Sequence, residues 1–179
     1  MVQQTSSLPI IGRNALVDLV GYADQIPAKI DTGADTSAVW ASNVRVAKNG
    51  TLHFTLFGKG SPHYTGEPIK RRQYTVSMVR SSSGHEQIRY RVQMPVRVRG
   101  KRIRASFNLS DRSNNDFPIL LGRRTLNKKF LVDVSHLEHQ TPPKDKSAEL
   151  REELALGPHE FYKKYHGNAP GANKTGAAE

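Results

Sequence analysis

An aspartate, a hydroxyl residue and a glycine stand together at Asp31-Thr32-Gly33, inside a small-residue apolar stretch from Ala28 to Trp40. The apolar run before the triplet reads as a strand that carries the Asp31 carboxylate to the tip of a tight turn. Gly33 has no side chain and so lets another backbone come close. The hydroxyls of Thr32, Thr36 and Ser37 can bond nearby backbone or one another. A carboxylate buried in this way is costly unless it is hydrogen-bonded or shares a proton. Two carboxylates sharing one proton can cut a peptide: one takes a proton from water, the other donates to the carbonyl oxygen. The triplet alone reads rather as an aspartate-capped turn, and its surroundings decide between the two.

Other chemistries find less footing. The chain has no cysteine, which excludes disulfides, a thiolate nucleophile and cysteine zinc sites. There are seven histidines but no His-Glu-x-x-His. His53 and His63 fall in unrelated segments, and His136 and His139, spaced i, i+3, lack an obvious third ligand, so all read as surface histidines and no metal is expected. No G-x-x-x-x-G-K-S/T loop is present, and no nucleotide or other cofactor is expected.

The elements that would position Asp31 follow from pattern. Residues 15–20 and 26–30, joined by a turn at 21–25, read as a hairpin feeding the triplet. Residues 42–50 read as a connection with Val44 and Val46 in a short strand, and 51–57 as an alternating strand with Leu52, Phe54 and Leu56 on one face. Residues 58–72 read as loop, ending in the basic cluster Lys70, Arg71 and Arg72. Strands at 73–79 and 87–94 flank a hairpin tip at Arg80, Ser81, Ser82, Ser83, Gly84, His85 and Glu86. A further hairpin, 92–100 with 101–109, turns Val96 and Val98 inward and its arginines outward. After a polar loop, 118–121 reads as a buried strand, 123–129 as a short helix and 130–134 as a last strand. Pro142-Pro143 marks a boundary, followed by helices at 147–156 and 158–165 and a disordered stretch from 167.

About ninety residues after the triplet, Phe117-Pro118-Ile119-Leu120-Leu121-Gly122-Arg123 forms an apolar run closed by Gly-Arg. Together the two motifs resemble the retropepsins, single-domain homodimeric aspartic peptidases. Asp31-Thr32-Gly33-Ala34-Asp35 matches the retroviral pattern, and Ile119-Leu120-Leu121-Gly122-Arg123 matches its C-terminal signature. A closer resemblance is to a bacterial retropepsin-like family labelled "ATP-dependent zinc protease". It runs from about residue 12 to 136, through 30–37, 80–86, Arg89-Tyr90, 117–123 and Phe130-Leu131-Val132-Asp133. Some of its members are associated with a ligase that adds glutamates to a ribosomal protein, and trim such tails.

The resemblance implies a mainly β fold: a closed retropepsin-like barrel with one short helix, plus a short helical C-terminal tail. It implies that Asp31 is the catalytic acid and base, with Thr32, Gly33 and Ala34 completing the active-site loop. Thr32 would bridge two such loops and Gly33 would contact substrate backbone. Asp35 and Arg123 would form a buried, bidentate structural ion pair. Residues Arg80 to Glu86 would be the flap over the substrate, and its three serines suit a polar one. The chain carries one Asp-Thr-Gly, so a homodimer would bring the second Asp31 across a two-fold axis.

The formal charge is +11, and residues 1–140 hold 21 basic and 10 acidic side chains while the rest is balanced. This suits an acidic partner, whether a glutamate-rich peptide, an acidic protein or nucleic acid. Nucleic acid fits less well, because six Phe, six Tyr and one Trp are scattered without forming a stacking set. The reading is therefore a homodimeric aspartic peptidase cutting a peptide or glutamate-tail amide bond. The alternative is a retropepsin-fold dimer, or a basic barrel, that binds without catalysis. The expected organisation is an arm at 1–9, a retropepsin-like domain at 10–140 and a tail at 141–179. No run suits a membrane span or a signal segment near Met1, so the cytoplasm is expected, or the periplasm if a leader has been removed.

Overall fold

The computed structural model describes residues 8–80, 86–140, 152 and 155–166. The chain divides into two units, Met1–Pro142 and Pro143–Glu179. The first unit starts with β1 (Ile10–Ile11) and a hairpin of β2 (Asn14–Leu19) and β3 (Ala23–Asp31). Period-two spacing puts Val17 and Leu19 of β2, and Ile26, Ala28 and Ile30 of β3, into the core. The hairpin turn is tighter than the 21–25 expected, because Gly21 takes a positive φ of 84° and β3 resumes at Ala23.

β4 (Ser37–Val46) takes in the short strand expected at Val44 and Val46 and also runs through Ser42 and Asn43, where connection was expected. Asn43, at φ 53°, marks a shift of register against β5 (Leu52–Leu56) between Ser42 and Arg45, and the strand continues beyond it. Leu52, Phe54 and Leu56 are buried. β6 (Pro68–Arg71) is also a strand where loop was expected. It pairs only with β5 and begins at a proline, a position where the missing N–H costs little.

β7 (Thr75–Arg80) pairs with the start of β8 (Glu86–Val98), Arg80 lying opposite Glu86. The flap tip Ser81, Ser82, Ser83, Gly84 and His85 lies outside the described residues. β8 is one strand of 13 residues where the pattern gave two, because its later half pairs with β2 and β9 (Lys101–Ser110) at once. Val92, Met94, Val96 and Val98 are buried, while Arg97, Arg99, Lys101, Arg102 and Arg104 face outward.

β10 (Ile119–Gly122) closes the ring. It pairs in parallel with β3 and antiparallel with β4, so β3, β2, β8, β9, β4 and β10 form a closed six-stranded barrel. Phe107, Ile119, Leu121 and Val39 fill its interior, each fully excluded from water. Each such side chain contributes roughly 1.5–3 kcal/mol by burial. The helix after Gly122 is shorter than the 123–129 expected: α1 (Arg123–Leu126) is a single turn, and Lys128 at φ 58° ends it. β11 (Leu131–Val132) then pairs in parallel with β1.

In the second unit, α2 (Pro158–His166) begins with a proline, whose fixed φ suits the first helical turn. The helix expected at 147–156 lies almost wholly outside the described residues, as do the stretch from 167 and residues 1–7 of the arm. Among the described residues no helix is long and apolar enough to cross a membrane.

Candidate active site

β3 delivers Asp31 to its end, and the chain turns at once. Asp31 Oδ1 accepts the backbone N–H of Gly33 at 3.0 Å and of Ala34 at 3.1 Å. The carboxylate thus caps its own turn and meets the need of a half-buried acid for donors. Its second oxygen, Oδ2, lies 3.6 Å from Lys29 Nζ. Lys29 and Asp31 are two residues apart on one strand and share a face. The side chain of Asp31 is 26% exposed, so it is partly open rather than buried.

Among the described residues of the chain itself, a close backbone approach is found at Gly122. A Cβ on Gly122 would meet the Thr36 carbonyl carbon at 2.6 Å and the Ala34 oxygen at 2.8 Å. At Gly33 the nearest atom is Asp31 Oδ1 at 3.4 Å. Gly122 sits opposite Asp31 in the β3–β10 register, and its N–H donates to Ser37 Oγ at 3.1 Å. Ser37 Oγ also bonds Thr125 Oγ1 at 2.8 Å, both residues being buried. The Arg123 N–H donates to the Ala34 oxygen at 2.8 Å. The loop after Asp31 is therefore tied to β10 and α1 mainly through backbone and buried hydroxyls. Thr32 is exposed, on a shallow surface that Leu8, Phe130 and Leu131 also line.

Asp35 differs from the expected buried, bidentate partner of Arg123. Arg123 Nε meets Asp35 Oδ1 at 2.7 Å, while Arg124 Nη2 meets Oδ2 at 2.8 Å. One carboxylate is shared by two arginines, and its side chain is 47% exposed. The hydrogen bond from Arg123 holds the Asp35 carboxyl below its ordinary range, against a smaller opposing effect of burial. In an exposed position such pairs stabilise little, so the tie falls mainly to the backbone bonds above.

Several residues around Asp31 gave no sequence signal. Asn108 is 2% exposed; its Nδ2 donates to Thr36 Oγ1 at 2.9 Å, and its Oδ1 accepts Ser77 Oγ at 2.9 Å and Arg91 Nε at 3.2 Å. It links the triplet's loop to β7 and β8. Arg112, in the loop between β9 and β10, is 9% exposed and donates from Nε to the Phe117 oxygen at 2.9 Å. Burial pushes its guanidinium pKa down, with Arg89 acting in the same direction and Asp31 against it. Lys29, Arg89, Arg91 and Arg112 make these surroundings cationic. Among the described residues no three His, Asp or Glu side chains gather where they could hold a metal ion.

Residues 10–143 match the family described as RimB-like, retropepsin-like aspartic endopeptidase RimB. The chain belongs to this family. It is also 28% identical over 113 residues to a protein named "Probable alpha-L-glutamate ligase" from Shewanella pealeana, and 25% identical over 111 residues to one of the same name from Desulfotalea psychrophila. These matches cover 62% and 60% of this chain but 25% and 24% of those proteins. The chain thus spans about a quarter of the length of the curated relatives it matches. A solved structure of a Legionella pneumophila protein of unknown function is similar with a TM-score of 0.57 and 25% identity, covering 73% of this chain and 96% of that one. The mainly β closed barrel is the retropepsin-like architecture of the family.

Proposed function

We propose that the chain works as a homodimeric aspartic peptidase, with Asp31 from each of two protomers sharing one proton across a two-fold axis. The observation that carries this reading is the Asp31 turn. One oxygen is fixed by two backbone N–H groups and the other is left partly open beside Lys29, at the end of a strand paired with Gly122. One chain supplies one such carboxylate, and isologous pairing supplies its mate. In the reaction the ionised Asp31 takes a proton from water as its oxygen attacks the carbonyl carbon, and the protonated Asp31 donates to the carbonyl oxygen. As the tetrahedral adduct collapses, one of its hydroxyls returns a proton to the ionised Asp31, the C–N bond breaks, and the nitrogen leaves with the proton of the other Asp31, so the pair again holds one proton.

The surface beside Thr32 supports the pairing. Ile10 and Leu131, each 55% exposed, stand on the two-stranded β1–β11 sheet, whose outer edges have no strand partner among the described residues. The cationic surroundings of Asp31 and the names of the glutamate-ligase relatives support an acidic peptide or a glutamate-tail amide as substrate, in the cytoplasm.

The test is cleavage of an oligoglutamate-tailed peptide and a neutral peptide, with sedimentation of the same protein. The reading expects a dimer that cuts the tailed peptide, and Asp31→Asn should lower the rate about a thousandfold or more while leaving binding intact. An obligate monomer, or cleavage that survives Asp31→Asn, would refute it. A wild type that binds the tail and cuts nothing would favour the non-catalytic binding role.

A further inference from the structure

Most arginines with a carboxylate in reach use it. Arg97 lies 3.7 Å from Asp18, Arg99 lies 3.1 Å from Glu138, and Arg123 and Arg124 share Asp35. Arg71, Arg91 and Arg104 instead line one cavity of about 630 Å³, and no aspartate or glutamate lines it with them. Three like charges around one concavity repel, and the concave wall concentrates their field.

The cavity is built on the register of β8 and β9. Gln93 stands opposite Ser106, and Arg104 opposite Pro95, with the pair Arg91 and Asn108 further along. Val92 and Ala105 are buried in the core, so alternation turns Arg91, Gln93, Arg104 and Ser106 to the outer face as a floor. Thr75, at the start of β7, and Arg71, at the end of β6, complete the lining. Two of the arginines are held in place. Arg91 Nε–H donates to Asn108 Oδ1 at 3.2 Å, while its terminal nitrogens have no partner among the described residues. Arg71 donates from Nη1 to the Lys70 oxygen at 3.0 Å and from Nη2 to the Tyr22 hydroxyl, its guanidinium 5.6 Å from the centre of the Tyr22 ring. Arg104 has neither a hydrogen bond nor an ion pair among the described residues. One anchored fork, one anchored charge and one free fork around a single space are pre-organised for a compact anion.

The lining favours phosphate over carboxylate. A single guanidinium fork satisfies both oxygens of a carboxylate. Here two forks and a third positive charge meet, alongside the hydroxyls of Thr75 and Ser106 and the amide of Gln93. A phosphate group offers three acceptor oxygens and up to two charges. The volume is that of a site for a small molecule rather than for a single ion. We infer that this cavity is a second binding site, taking a small molecule that carries two or more linked phosphates. Asp31 and its turn do not line it, so the site stands whether or not the chain cuts peptides.

The full chain is titrated by calorimetry with inorganic diphosphate, sulfate and citrate at one ionic strength. Diphosphate should bind at a single site per chain, at least about tenfold more tightly than sulfate or citrate. ADP separates two sources of the same chemistry: tighter binding than diphosphate assigns a nucleotide, and equal or weaker binding assigns the linked phosphates alone. Arg104→Gln should weaken diphosphate about tenfold, and Arg91→Gln by as much or more, as loss of a charge-assisted pair requires. Arg45→Gln, which removes an exposed arginine outside the cavity, should change it less than about twofold. Arg91 also bonds Asn108, so if Arg91→Gln fails to fold in thermal unfolding, Arg104→Gln decides. No binding of diphosphate, or equal binding of all three anions, would overturn the site, as would several weak sites per chain. So would equal losses from Arg45→Gln and Arg104→Gln, since the effect would then be that of net charge. Binding of single-stranded RNA that tightens with its length, with diphosphate unable to compete, would assign an extended basic surface and overturn it too.

Discussion

Gly122 lies opposite Asp31 in the parallel pairing of β3 and β10, and the space its side chain would need is filled by the backbone of Thr36 and Ala34. The two motifs that stand far apart in sequence therefore meet as a backbone contact rather than as a pair of side chains. The position of the carboxylate depends on how closely β10 can approach the turn after it.

Gly122→Ala places a Cβ within 2.6 Å of backbone that cannot swing aside. The expected cost is about 2–4 kcal/mol, measured by urea unfolding. Under the proposed function, peptide cleavage should fall more than tenfold even where the variant remains folded, because the turn holding Asp31 has to shift. A variant with wild-type midpoint and rate would contradict the tight contact.

Asn108→Ala removes three side-chain bonds at once and leaves Thr36, Ser77 and Arg91 short of a partner. Loss of a buried polar hub of this kind costs about 2–3 kcal/mol. Hydrogen exchange should show faster opening of β7 and β8, where two of its partners sit. Unchanged exchange in those strands would show that the hub does not couple them.

The shared carboxylate of Asp35 sets a different expectation. Arg123→Ala alone should lower the unfolding midpoint less than Arg123→Ala with Arg124→Ala, since either arginine can hold one oxygen. The Asp35 carboxyl is held below its ordinary range when folded, chiefly by the Arg123 hydrogen bond. Its stabilisation is therefore full above the unfolded value, at pH of about 5 and higher, and is lost as pH falls through the lower folded value. Wild type and Asp35→Asn should differ in midpoint near neutrality and converge in acid. A difference that grows as pH falls would reverse the sign and reject the pairing.

The barrel was legible where a strand has one wet face or a fixed motif. Val92 to Val98 alternates cleanly, and the apolar runs ending in Asp31 and Gly122 announce two strands that turn out to be neighbours. That Val44 and Val46 belong to the same strand as Trp40 was hidden by Asn43, whose positive φ marks the shift of register while the pairing resumes beyond it. β6 was hidden because an edge strand of proline, isoleucine, lysine and arginine looks like a loop until β5 is placed beside it. At the candidate site the triplet was readable and its supports were not. Asn108 sits between Phe107 and Leu109 where alternation would turn it away from them, and Arg112 lies in a polar loop; only tertiary packing buries both. The Asp35 pair was expected to be buried, and a second arginine at position 124 meeting the same carboxylate is visible only in three dimensions.

The position of β10 has a consequence for synthesis. β10 fits between β3 and β4, yet the ribosome makes it 73 residues after the end of β4 and 88 after the end of β3. Until residue 122 has emerged, the growing chain carries an unsealed seam with two raw strand borders, a stage at which it would need shelter from other nascent chains. Under the proposed function, the same delay keeps the acid turn without its opposite strand, and a polypeptide still attached to its ribosome would be unable to digest either its neighbours or itself.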